Sequence, residues 1–178
     1  RWAGAEFWLA NGRVGLDLEE IIRRSDVVVV GIDGGGLDDL LAIGVMGRDP
    51  ATNEWLFWSH AWAHPVVLDR RREIVPMLTD LEAGGDLTIS ESVTAAITDV
   101  GDILERIEAE GLLAEKEAIG VDTMLVGLIV DEIVGRGIDS DRIYGIPQNW
   151  QLTAAIHASA VLVYEGKLIH GGQPIMTW

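Results

Sequence analysis

Thirteen basic residues set against 29 acidic ones leave the 178-residue chain with a formal charge of −16, which excludes a surface that grips phosphate everywhere through Lys and Arg. Cysteine is absent, removing disulfides, thiolate metal sites and a Cys nucleophile from consideration. No run reaches the roughly 18 apolar residues of a membrane helix and no basic-then-apolar leader opens the chain, so one soluble, unsecreted α/β domain with no membrane partner is expected.

The opening RWAGAEFWLANG offers no obvious structural start and HGGQPIMTW carries no closing cap, so both ends read as cuts through a longer polypeptide. Residues 16–24 predict a short helix. Residues 27–33 form a β-branched run that predicts a buried strand delivering Asp33 at its C-terminal end. After Gly34, Gly35, Gly36 and Leu37-Asp38-Asp39, residues 40–48 predict a second strand, closed by the turn-rich Asp49-Pro50-Ala51-Thr52-Asn53. Residues 54–62 set Trp55 and Phe57 against Leu56 and Trp58, bulky on both faces as in a covered strand. Three antiparallel strands therefore open the domain.

A helix follows Pro65, and Val100, Ile103, Leu104 and Ile107 take helical spacing within residues 99–111. Residues 117–122 predict a strand that also ends on an acid, Asp122. Residues 125–134 predict a helix stopped by Gly135 and Gly137, residues 142–146 a strand, and residues 152–164 a last helix. Alternating strand and helix implies parallel strands. No repeat or low-complexity tract interrupts this pattern. The fold class is α/β: one mixed sheet, three antiparallel strands and then parallel ones, flanked by helices.

In VVVVGIDGGGLDD an acidic side chain leaves a buried strand and is followed by residues without side chains, so a bulky substrate or a metal can approach Asp33 closely. If the strands ending at Asp33 and Asp122 are parallel neighbours, both carboxylates meet on one sheet edge. Two such groups repel unless a cation or proton intervenes, and hard oxygen donors select Mg²⁺ or Mn²⁺. Metal-assisted phosphodiester hydrolysis follows, with two ions about 3.5–4 Å apart, Asp33 bridging and Asp122 holding one. The alternatives stay open: Asp33 as a turn residue, Asp122 as the cap of the following helix.

Asp38 and Asp39 could lie near the metals, though a solvated hairpin tip explains adjacent acids as well. Arg70, Arg71 and Arg72 could touch a phosphate backbone, though a basic run on a surface helix is usually solvated. His60 and His64 read as packed or edge residues at the end of a Trp-rich strand. The seven tryptophans read mostly as core or interface residues. The glycines break the GxGxxG spacing, and no GxxxxGK[ST] occurs.

Four ordered blocks, VVVVGIDGGGLDDLLAIGVMGRD, EWLFWSHAWAH, LLAEKEAIGVDTM and GIPQNWQLTAAIHASAVLVYEGKLIHGGQPIMTW, resemble the C-terminal nuclease region of bacteriophage terminase large subunits. The match runs from about residue 25 to 178, leaving residues 1–24 as a linker and helix from a preceding domain. The resemblance implies a ribonuclease H-like nuclease that cuts concatemeric double-stranded viral DNA, with the family's metal acids at Asp33 and Asp122 and Mg²⁺ or Mn²⁺ as cofactor. It also implies an ATPase domain earlier in the same polypeptide, the small terminase subunit and portal protein as partners, and action in the host cytoplasm at the procapsid. A third acidic ligand is expected beyond Trp178, so this stretch alone would keep the fold with little or no cutting. Two other readings compete: an actin-like or sugar-kinase phosphate-binding domain, which needs a second phosphate loop not found here, and a non-catalytic module docking onto the packaging motor.

Overall fold

The computed structural model describes residues 2–34, 39–122, 126–147 and 149–177. The chain opens with the short helix α1 (Ala5–Trp8), a 3₁₀ turn over Leu9–Asn11, and helix α2 (Leu18–Arg24). Asp17 caps α2 by accepting from the Glu20 N–H at 2.8 Å, and Arg23 and Arg24 occupy its last turn, where cations suit the carbonyl end of the helix.

Strands β1 (Val27–Gly34), β2 (Leu41–Asp49) and β3 (Glu54–Ala63) form an antiparallel meander, as their sequences predict. Helices α3 (Pro65–Arg70) and α4 (Val75–Ala83) follow, then β4 (Leu87–Ile89), α5 (Val93–Ala109), β5 (Ile119–Val121), α6 (Val126–Gly135), β6 (Ile143–Gly145), α7 (Trp150–Tyr164) and β7 (Leu168–His170). The sheet order is β4-β3-β2-β1-β5-β6, with β7 also paired to β3. All the later pairings are parallel, so β2 alone runs against the rest.

Period-two alternation sorts the sheet into two unlike faces. Val28, Val30 and Ile32 of β1, Leu41, Ile43 and Val45 of β2, and Ile119 and Val121 of β5 are buried on one face. Against them pack Ile21 and Ile22 of α2, Ile97, Val100, Leu104 and Ile107 of α5, and Ile129 and Ile133 of α6. Leu104 and Ile107 are fully buried, and truncating either side chain to Ala would cost about 2–5 kcal/mol. Ser92 caps α5 by accepting from the Ala95 N–H at 3.1 Å. The helix therefore starts six residues before Asp99, where its apolar spacing first becomes evident.

On the opposite face Leu78 and Leu81 of α4 meet Ala61, Ala63 and Leu87 toward β3 and β4. Over β1 it is open: Val27 and Val29 are half-buried, and Gly31 and Asp33 are exposed. Leu16 and Ile21, from the segment before residue 25, belong to the main core. Trp62 is buried and Trp55 and Trp58 half-buried, but Trp150 departs from the expectation of a packed indole, at 75% exposed on the first turn of α7.

Candidate functional site

β1 and β5 pair in parallel with Val30 opposite Ile119, Gly31 opposite Gly120 and Ile32 opposite Val121. The Asp122 N–H donates to the Ile32 carbonyl at 3.2 Å, which carries the same register one step further. Asp33 and Asp122 are therefore lateral neighbours at the C-terminal edge of the sheet, on strands spaced about 5 Å apart. Lateral neighbours in a parallel pair share a face, and here it is the open one, since the intervening Ile32 and Val121 point into the core. Asp33 is exposed and Asp122 half-buried, so both are within reach of a solvent-borne group.

The row beneath the two acids consists of glycine. Gly44 on β2, Gly31 on β1 and Gly120 on β5 stand in register across three strands. The Phe57 ring lies over Gly44, with its Cε2 3.0 Å from where a Cβ would stand, and Ile146 covers Gly120 in the same way. Among the described residues, no atom beyond its chain neighbours lies within 4 Å of the would-be Cβ of Gly31, between them. The result is a shallow trough, closed at both ends and open in the middle, running below the acids.

Gly34 ends β1 with a φ of +76°, and a Cβ there would collide with the Leu40 carbonyl. Only glycine takes that backbone without strain, so the chain is free to turn immediately after Asp33. Asp39, on the far side of this turn, is exposed and accepts from the Leu40 N–H at 2.8 Å. That is the solvated hairpin-tip arrangement, although its Oδ2 lies 3.7 Å from the would-be Cβ of Gly34. Asp38 lies outside the described residues, as do residues 123–125, where a cap for α6 would fall.

His60 is packed: its Nε2 meets the Thr88 hydroxyl at 2.9 Å, and its ring stacks on Trp58 and sits edge-on to Trp62. Burial lowers its pKa, with Asp86 and Asp99 opposing the shift. His64 is 6% exposed, at the N-terminal boundary of α3. Arg70 closes α3, a short helix that starts from the same sheet edge as the acids. Arg71 pairs with Glu73 at 2.8 Å, and the Arg72 Nε donates to the Asp69 carbonyl at 3.3 Å.

Two carboxylates side by side and an open approach fit a hard divalent cation. Among the described residues no group of three or more His, Asp or Glu side chains comes together to hold a metal. Asp33 and Asp122 are thus the pair that the described residues offer. The trough was missed in the sequence, yet a signal for it was present: Gly31-Ile32-Asp33 and Gly120-Val121-Asp122 repeat one pattern, glycine, aliphatic, aspartate. In the sheet the two tripeptides lie side by side.

A seven-stranded mixed sheet flanked by helices, with a three-stranded antiparallel opening followed by parallel strands, is consistent with a ribonuclease H-like fold. Among solved structures the chain is similar to the large terminase of bacteriophage HK97, with a TM-score of 0.65 and 17% sequence identity over 90% of this chain. The chain spans about a third of the length of that terminase, 34%. No protein-family profile matches the chain, and no curated protein sequence matches it.

Proposed function

We propose that this chain is the nuclease domain of a phage DNA-packaging terminase, cutting double-stranded viral DNA by phosphodiester hydrolysis with Mg²⁺ or Mn²⁺. One observation carries the reading: two parallel strands deliver Asp33 and Asp122 to adjacent positions on an open sheet face. The likeness of the fold to a phage large terminase agrees with it.

Two carboxylates carried about 5 Å apart repel by roughly 1 kcal/mol in bulk water and about 3 kcal/mol at an effective dielectric near 20. Such repulsion is modest enough for a folded domain to tolerate and is relieved by a bound dication. Asp33 and Asp122 would hold the metal, which supplies an activated water and a stabilised leaving oxygen. Gly31, lacking a side chain, lets a rigid duplex approach the carboxylates without displacing protein atoms. Gly34, at a φ of +76°, ends β1 opposite Leu41, so Asp33 stays at the rim.

The chain supplies little positive charge for holding DNA. Arg23, Arg24, Arg48, Arg106, Arg136 and Arg142 are each paired with Asp or Glu of the same chain. Grip on the duplex is therefore assigned mainly to the ATPase part of the same polypeptide and to the small subunit and portal, with Arg70, Arg71 and Arg72 as local phosphate contacts even though Arg71 is paired with Glu73. On this reading the work is done at the procapsid in the host cytoplasm.

Calorimetric titration with Mn²⁺ tests the metal separately from cutting. Binding is expected in the native chain and is expected to vanish in Asp33→Asn and Asp122→Asn, whose melting temperatures stay level or rise by about 2–4 °C for each 1 kcal/mol of repulsion relieved. Unchanged Mn²⁺ heats in both variants would leave the acids as turn residues. The chain would then be a docking module of the motor.

A further inference from the structure

We infer that His170 is an acid-released clasp that holds residues 2–13 against the β7 side of the sheet. The residue is 1% exposed, and both of its ring nitrogens are committed. The Gly172 N–H donates to Nδ1 at 3.0 Å, so Nδ1 carries no hydrogen and Nε2 must. Nε2 then donates to the Trp8 carbonyl at 2.9 Å. The imidazole also lies flat on the Trp8 indole, with centroids 4.0 Å apart and planes 9° from parallel.

The backbone of the same residue adds two more ties. The His170 carbonyl accepts from the Arg13 N–H at 2.7 Å, and Gly12 bridges to His170 as a parallel neighbour. The other ties of the segment are insensitive to pH near neutrality: Asn11 Nδ2 to the Val163 carbonyl at 2.9 Å, Phe7 edge-on to Tyr164, and Trp2 Nε1 to the Ile156 carbonyl at 3.2 Å.

A second proton on the ring would have to enter at Nδ1, where it would face the Gly172 N–H. An acceptor would be lost and two donors would confront each other in a buried place. Among the described residues the charge acting on the ring is that of Arg13, which opposes protonation; burial opposes it more strongly, and the Trp8 carbonyl acts the other way. The ring's pKa in the clasped state is therefore below the ordinary 6.5, whereas a released segment restores the ordinary value. By linkage the clasp is at full strength above about 6.5, weakens as pH falls through that value, and levels off below the folded pKa. Release would bare Phe57 and Ser59 and open the cleft of about 480 Å³ that they line with Trp2 and Trp8.

Native-state hydrogen exchange of the whole chain between about pH 7.5 and about pH 5 tests the clasp. Protection of the amides in residues 2–13, corrected for intrinsic rates, should fall by up to about tenfold per pH unit below 6.5, while β1 keeps its protection. Nitrogen-15 NMR should report His170 in the Nε2–H form at neutral pH. His157→Gln, which removes an exposed histidine of α7, should leave the profile intact, and His170→Gln should flatten it. If His170→Gln does not fold, the tautomer and titration of the native ring decide. An Nδ1–H tautomer, or protection of residues 2–13 that holds down to the carboxylate range, would overturn the inference. Neither outcome bears on metal binding by Asp33 and Asp122.

Discussion

At the turn between β2 and β3 one carboxylate satisfies three donors. Asp49 Oδ1 accepts from the Ala51 and Thr52 N–H groups at 2.8 and 3.4 Å, and Oδ2 accepts from Arg24 Nε at 2.8 Å. The Arg24 guanidinium is the main reason that the Asp49 carboxyl lies below its ordinary 3.8, with burial acting in the opposite direction. A depressed folded pKa stabilises fully above the unfolded value and is lost as pH falls through the folded one. Asp49→Asn should therefore lower stability at neutral pH and flatten the acid limb of a pH melt below about 3.8 followed by circular dichroism. At this scale much was legible: Asp33 announced itself by ending a run of four valines, Gly31 and Ile32. The partnership with Asp122 was legible only as a condition, because a parallel register depends on a strand far along the chain.

The glycine row gives two substitutions on paired strands with opposite expected effects. Gly31→Val adds a β-branched side chain in open space and should hold or raise the melting temperature. By filling the trough it should also abolish DNA cleavage by the intact motor protein while Mn²⁺ binding by Asp33 and Asp122 persists. Gly120→Val drives a side chain into Ile146 and should destabilise by about 1–3 kcal/mol, read in a denaturant melt. Equal stability losses in both would mean that the trough is filled in solution. Long elements were readable because burial alternates along them, as in β2. β4 and β7 were not read, although β5 and β6 are as short: β5 ends on an acid and β6 falls between two predicted helices, whereas β4 and β7 are strands by virtue of pairing with β3. The start of α5 was hidden for a related reason: Thr94, Ala95 and Ala96 carry little apolar contrast, and the cap at Ser92 marks the boundary instead.

Across the whole molecule, 29 acidic residues against 13 basic ones make long-range repulsion larger than the paired attractions can offset. Raising NaCl from about 20 mM to about 500 mM should lift the melting temperature by a few degrees as the screening length shrinks. A fall would mean that the arginine pairs, such as Arg136 with Glu132 and Glu105, dominate the balance. The pairing of β3 also has a bearing on synthesis. Its Ala61–Ala63 end meets β4 soon after it is made, but its Trp55–Phe57 end must wait for Leu168–His170. Closing a loop of roughly a hundred residues is entropically slow. A ribosome-bound nascent chain would thus carry a β3 edge stitched at one end and bare at the other, where the open backbone invites a neighbouring nascent chain until the last strand emerges.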